Sequence, residues 1–185
     1  ALKENDQVQP VFIFDDQILS RLPKDDQRVL FIHQELQRLK SEYQAHGSDL
    51  LIFHGNPSEL IPKIAKELAC EKVYTNRDYE PYALTRDQFI YQELEKSNKS
   101  FIGSKDHVIF EKNEVLKDDG LPYTIFTPYS RKWKAKLSDY FLKSYPSTAY
   151  LSHLSKCAET SGCPSMEDLG FSDVQLFPFP ERIVD

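Results

Sequence analysis

The sequence predicts an α/β fold built on a parallel sheet. Three observations carry that reading. Short apolar, β-rich runs alternate with amphipathic helical patterns four times between Val8 and Gly103. The connections between them are only a few residues long, as in βα units. Helix start and stop signals stand at the junctions, so strand and helix periods do not run into one another.

Val8 to Asp15 (VQPVFIFD) reads as a buried strand. Asp25-Asp26 can cap the next helix, whose apolar residues are Val29, Ile32, Leu36, Leu39 and Tyr43. Gly47 supplies a left-handed stop, and Asp49 to His54 (DLLIFH) is the second strand. Asn56-Pro57 caps and starts a helix carrying Leu60, Ile61, Ile64, Ala65 and Leu68. Lys72 to Thr75 is the third strand, a helix runs from about Tyr82 to Ser97, and Lys99 to Gly103 is the fourth strand. Strands linked through helices form parallel sheets covered on both faces.

After Asp106 the alternation stops. Val108 to Val115 reads as extended, Lys117 to Gly120 as a turn, and Thr127 to about Lys143 as a helix. From Tyr145 onward Pro146, Ser147, Gly162, Pro164, Pro178 and Pro180 mark a linker, with one short helical candidate at Met166 to Leu169. The expected division is therefore an α/β domain over 1–143 and a linker over 144–185. Ala1 to Asn5 reads as the last turn of a helix leading straight into a buried strand. That suggests an upstream strand and most of a helix are missing.

Composition narrows the function. At 185 residues and 40% hydrophobic the chain can bury one ordinary core. It has no 18-residue apolar run and no charged-then-apolar leader, so neither a membrane span nor a secretion signal is expected. Cys70, Cys157 and Cys163 are odd in number and lack zinc or C-x-x-C spacing. Free thiols in a reducing, cytoplasmic compartment are the expectation. A net charge of −6 argues against this chain tracking a phosphate backbone. With 6 glycines and no P-loop or G-x-G-x-x-G, a dinucleotide-binding dehydrogenase is disfavoured. His33, His46, His54, His107 and His153 are scattered along the chain and form no catalytic or metal set.

The most informative stretch is Asn76 to Asp87, where polar groups crowd the end of the third strand and the entrance of the next helix. Open α/β sheets bind ligands at such strand ends. Its pattern, N-x-D-x-E-P-Y-x-x-x-R-D, resembles the DNA photolyase and cryptochrome family. The resemblance extends to Phe12-Ile13-Phe14-Asp15 with Ile18-Leu19, to Asp26-x-Arg28 with Phe31, and to His54-Gly55-Asn56-Pro57. Phe126-Thr127-Pro128-Tyr129-x-x-x-Trp133 and Ser165-Met166-x-x-Leu169-Gly170-Phe171 continue it.

The resemblance implies a Rossmann-like antenna domain that holds a light-harvesting chromophore. In the family the pigment passes excitation to reduced FAD, which then splits a pyrimidine dimer. The family's first strand, with its arginine-aspartate-leucine-arginine motif, and its helical FAD- and DNA-binding domain have no counterpart here. That helical domain of a parent chain would be the natural partner, and damaged DNA would be held only through it. The chain alone is expected not to catalyse repair. If a central strand is lost, a strand-exchanged homo-oligomer is the expected response.

Matched position by position, the implied chromophore residues are Phe14, Asp15, Arg28, Asp78 and Glu80. A flat fused ring needs an apolar wall, here Phe14, and donors and acceptors at its edge, here Arg28 and the carboxylates. Each has a plainer reading: Asp15 satisfying loop amides, Arg28 pairing with Asp26, and Asp78 and Glu80 bracing their loop against Arg77 or Arg86. Folate-binding relatives carry an asparagine-glutamate pair where this chain has Tyr82-Ala83, so a deazaflavin or flavin is favoured over folate. Alternatives that stay open are a cryptochrome photoreceptor domain and a stand-alone small-ligand α/β module.

Overall fold

The computed structural model describes residues 1–156 and 161–172. Cys157, Pro178 and Pro180 fall outside them. The four expected strands are all present and parallel, but they pair two by two rather than as one four-stranded sheet. They belong to two compact units, one formed by residues 1–60 and 147–185 and the other by residues 61–146.

In the first unit β1 (Val11–Asp15) pairs with β2 (Leu51–Gly55), placing Phe14 beside His54 and Asp15 beside Gly55. Pro10, which cannot donate to a ladder, immediately precedes β1, and Val8 makes only an isolated bridge to Leu154. The strand is thus shorter at its start than the sequence suggested. Asp15 caps α1 (Asp16–Leu19), and Asp26 caps α2 (Gln27–Ala45) by accepting from the Arg28 amide. Gly47, at φ 72°, closes α2. Its N–H bonds to Gln44 O and that of Ser48 to Tyr43 O, the paired bonds of a Schellman stop.

The buried face of α2 is Val29, Leu30, His33, Leu36 and Lys40, while Ile32 is 40% exposed. His33 and Lys40 face inward because each finds a partner there. His33 Nε2–H donates to Pro164 O at 2.8 Å, and Lys40 Nζ lies 2.6 Å from Asp49 Oδ1. The described part of 144–172 therefore does more than connect. Met166, Leu169 and Phe171 join Phe14, Leu30, Leu36 and Ile52 in the core of this unit. Residues 166–170 form turns rather than a helix. At the N-terminus, Glu4 N–H bonds to Ala1 O, and His153 Nδ1–H donates to Leu2 O at 2.7 Å.

α3 (Pro57–Glu67) begins in the first unit and ends in the second. It starts on a proline, where the missing N–H costs nothing, and tolerates Pro62 inside. In the second unit β3 (Lys72–Asn76) pairs with β4 (Ser100–Ser104), with Asn76 beside Ser104. Between them α4 (Pro81–Lys96) buries Ala83, Ile90 and Leu94. Ile90 and Leu94 pack with Ala65, Ile61, Val73 and Phe101. Full burial of one such side chain contributes about 1.5–3 kcal/mol.

The segment expected to be extended after Asp106 forms only a 3-10 turn at Lys112–Glu114. The expected long helix is two pieces, α5 (Phe126–Lys136) and α6 (Asp139–Leu142). Leu137 and Ser138 take extended backbone angles and interrupt it. The pieces are fixed by an aromatic cluster, in which Phe110 meets Trp133 at 5.4 Å and Phe141 at 4.9 Å, edge to face.

Candidate functional site

Parallel pairing brings the loops after paired strands together, so each unit presents polar groups at the C-terminal ends of its strands. In the first unit Asp15 Oδ1 accepts from the Gln17 amide at 2.9 Å, fixing the turn into α1. Phe14, directly before it, is 3% exposed, with its ring edge-to-face on Phe12 at 5.1 Å and tilted on His33 at 6.4 Å. Arg28 sits at the start of α2 with its guanidinium forked onto Asp26 through Nε and Nη2. That hydrogen bond holds the Asp26 carboxyl below the usual range. The Arg28 side chain is 72% exposed, so solvent screens the pair.

In the second unit Asp78 and Glu80 bracket the turn into α4. Asp78 Oδ1 accepts from the Glu80 amide at 3.1 Å. This amide, with that of Tyr79 and the nearby His107 and Arg86, holds the Asp78 carboxyl below its ordinary value. Glu80 is the N-cap of α4, makes no side-chain cap bond and leaves its carboxylate exposed. Arg86 lies 2.8 Å from Asp87 and over the Tyr82 ring, so its charge serves the helix flank. The five residues thus divide between the units: Phe14, Asp15 and Arg28 in one, Asp78 and Glu80 in the other.

Several polar residues near these strand ends were not singled out from the sequence. His54 Nε2 lies 2.7 Å from Asp16 Oδ1, across the ends of β1 and β2. After β4, Asp106 Oδ2 accepts from Asn76 Nδ2 at 3.0 Å, and the His107 ring stacks edge-on to Tyr79 at 6.3 Å. Arg77 Nε stands 3.0 Å from Glu111 Oε1, close enough for an ion pair but off the line of a hydrogen bond. Lys105 Nζ pairs with Glu114 Oε2 at 2.7 Å. No local signal marked Asp106 and His107, since their neighbourhood is set by the pairing of β3 with β4. Chemically, the second unit's strand ends offer a mixed rim of donors and acceptors suited to the edge of a polar, planar ligand. Among the described residues no group of three histidine, cysteine or acidic side chains is arranged to hold a metal. No described helix is long and apolar enough to cross a membrane.

The family model described as DNA photolyase matches residues 1–149, most of the chain. The chain belongs to the DNA photolyase family. A relative of this photolyase-family chain is the deoxyribodipyrimidine photo-lyase of Halobacterium salinarum, 31% identical over 166 residues, which cover 90% of this chain and 34% of that protein. Among solved structures, the Sulfolobus tokodaii photolyase, described with two FAD molecules and the implication of a novel light-harvesting cofactor, has a TM-score of 0.61 at 25% identity. It covers 74% of this chain and 30% of that one. The cryptochrome of a Synechocystis species has a TM-score of 0.68 at 17% identity, over 92% of this chain and 36% of that one. At that identity the cryptochrome shows the fold alone. The photolyase-family chain spans about a third of the length of the curated relatives it matches.

Proposed function

We propose that this chain is the antenna domain of a light-dependent DNA repair enzyme. A chromophore bound at its strand ends would pass excitation to FAD held in a helical domain of the parent chain. The observation that carries the reading is the family match over 1–149 together with polar groups gathered at the C-terminal strand ends. The chromophore is of flavin or deazaflavin type, a choice supported by the two FAD molecules described for the Sulfolobus relative. The resemblance assigns it Phe14, Asp15 and Arg28 on the first unit and Asp78 and Glu80 on the second; the polar groups are the edge contacts, and Phe14, 3% exposed, backs Asp15 from the core. Arg28 would have to leave Asp26 to reach a ligand, a small cost for a surface pair. The repair reading is favoured over photoreception because curated photo-lyases reach 31% and 32% identity, whereas a chicken and a fruit-fly cryptochrome reach 21% and 26%.

The α/β domain of 1–143 takes Met166, Leu169 and Phe171 of the following segment into its core, and in the parent, a cytoplasmic protein, that segment connects to the FAD-binding domain. Each described sheet has only two strands, too few for a parallel sheet to stand by itself. This supports a further strand, supplied by an upstream segment or by strand exchange with a second copy. The test is the chromophore content of the protein expressed at the length of its relatives. Two flavin-type molecules per chain are expected, and Arg28→Ala with Glu80→Ala should lower one of them while leaving FAD in place. Recovery of folate, or of FAD alone, would overturn the assignment.

A further inference from the structure

Arg77 occupies a prepared place in the second unit. It follows β3 directly, between Asn76 and Asp78, and its amide extends the ladder to Ser104 O at 2.8 Å. Its stem crosses β4 at Gly103, where a Cβ would stand 2.8 Å from Arg77 Cγ. Only a glycine leaves that path open. Beyond it Nε meets Glu111 Oε1 at 3.0 Å, with both atoms closed to solvent. Glu111 is itself fixed, since its amide donates to Glu114 Oε2 and its carboxylate accepts from the Tyr79 hydroxyl. The inner end of the guanidinium is thus held by charge, yet among the described residues the group makes no hydrogen bond. With the side chain 42% exposed, the Nη fork is left for a ligand. The other cations at these strand ends are committed, Lys105 to Glu114 at 2.7 Å and Arg86 to Asp87 at 2.8 Å. Asp78, Glu80 and Asp106 make the rest of the rim negative.

We propose that Arg77 binds the phosphate of the chromophore's side chain and so selects a phosphorylated flavin over a neutral one. This deepens the antenna reading and rests on it. A planar guanidinium meets two phosphate oxygens at once, which a lysine cannot do. The neighbouring carboxylates repel a dianion, so discrimination in its favour has to come through this one open fork. Arg77 gives up no hydrogen bond to make the contact, whereas Arg28 is already forked onto Asp26 through Nε and Nη2. A side chain already placed by Gly103 and Glu111 also loses less freedom on binding than a loose surface arginine.

The test compares riboflavin with FMN, which share a ring system and differ by one phosphate. Both are titrated by fluorescence into the protein expressed at the length of its relatives, with FAD in place and the second chromophore removed. FMN should bind at least about tenfold more tightly, as a pair of charge-assisted hydrogen bonds allows. Excess inorganic phosphate should erase the difference. Arg77→Ala should bring FMN to the level of riboflavin or below it, because the remaining carboxylates then act alone on the phosphate. Arg77→Lys should keep only part of the preference, since an ammonium supplies charge without the fork. Lys63→Ala removes an exposed charge elsewhere in the same unit and should leave the preference intact. Equal binding of the two flavins by the unmodified protein, or a preference that survives Arg77→Ala, would overturn this proposal and leave the antenna reading standing. Binding of neither flavin would overturn both.

Discussion

Replacing Asp49 by alanine would strand a buried ammonium. The Asp49 side chain is fully buried and that of Lys40 is 11% exposed. Oδ1 accepts from Lys40 Nζ at 2.6 Å and from the Leu50 amide at 2.9 Å, while Oδ2 accepts from the Ser161 amide at 2.7 Å and its hydroxyl at 3.0 Å. Burial pushes the carboxyl pKa up, but these donors outweigh it and hold the group below its ordinary value. Breaking such a pair from one side costs about 3–5 kcal/mol, because the other charge stays buried alone. In a chain of this size that lowers the melting temperature by roughly 6–20 °C. Lys40→Met with Asp49→Leu together should recover at least half of the loss, since an apolar pair of similar volume leaves no orphan charge. Ser161→Ala removes one hydroxyl bond and should cost only about 1 kcal/mol. Because the folded pKa is lowered, the stabilisation is present above the unfolded carboxyl value of about 3.9 and is lost as pH falls through the folded one. Urea unfolding followed by circular dichroism at pH 7 and at about pH 3 measures both effects. A cost below about 1 kcal/mol at pH 7, or a cost that does not shrink in acid, would refute the reasoning.

Other expectations follow from single positions. Gly55→Ala puts a side chain at φ 143° and 3.2 Å from Leu60 Cδ1, so chemical denaturation should show a loss of about 1–3 kcal/mol. Gly103→Ala would bring a Cβ to 2.8 Å from Arg77 Cγ, displacing the side chain that pairs with Glu111. A similar loss should vanish in an Arg77→Ala background, readable as a double-mutant cycle. Ile90→Ala empties a site that is 0% exposed and should cost about 2–5 kcal/mol by the same assay. The Cys163 thiol is pushed up by burial, so it should resist alkylation at neutral pH until urea exposes it.

Legibility followed the physics of each element. The α2 boundaries were readable because a capping aspartate and a left-handed glycine bracket it. Its buried face was less so. A hydropathy pattern favours Ile32, but His33 and Lys40 turn inward since partners arrive from Pro164 and Asp49, remote in sequence from His33 and beyond the helix end from Lys40. The packing of Met166, Leu169 and Phe171 was hidden for the same reason, as proline and glycine around them read as linker. The division of the strands into two pairs has no local signature, since pairing depends on which edges meet. At the strand ends, Asp78 and Glu80 were found through one continuous motif. Asp106 and His107 were not, because their neighbourhood is created only by the β3–β4 register.

The central claim is that this domain gathers light for repair done elsewhere in the parent protein. The most direct measurement is an action spectrum for dimer splitting by the protein expressed at the length of its relatives. It should follow the summed absorption of FAD and a second chromophore, and the Arg28→Ala, Glu80→Ala variant should lose the second component while keeping the first. A spectrum that follows FAD alone in the unmodified protein, or an absence of dimer splitting under illumination, would contradict the account.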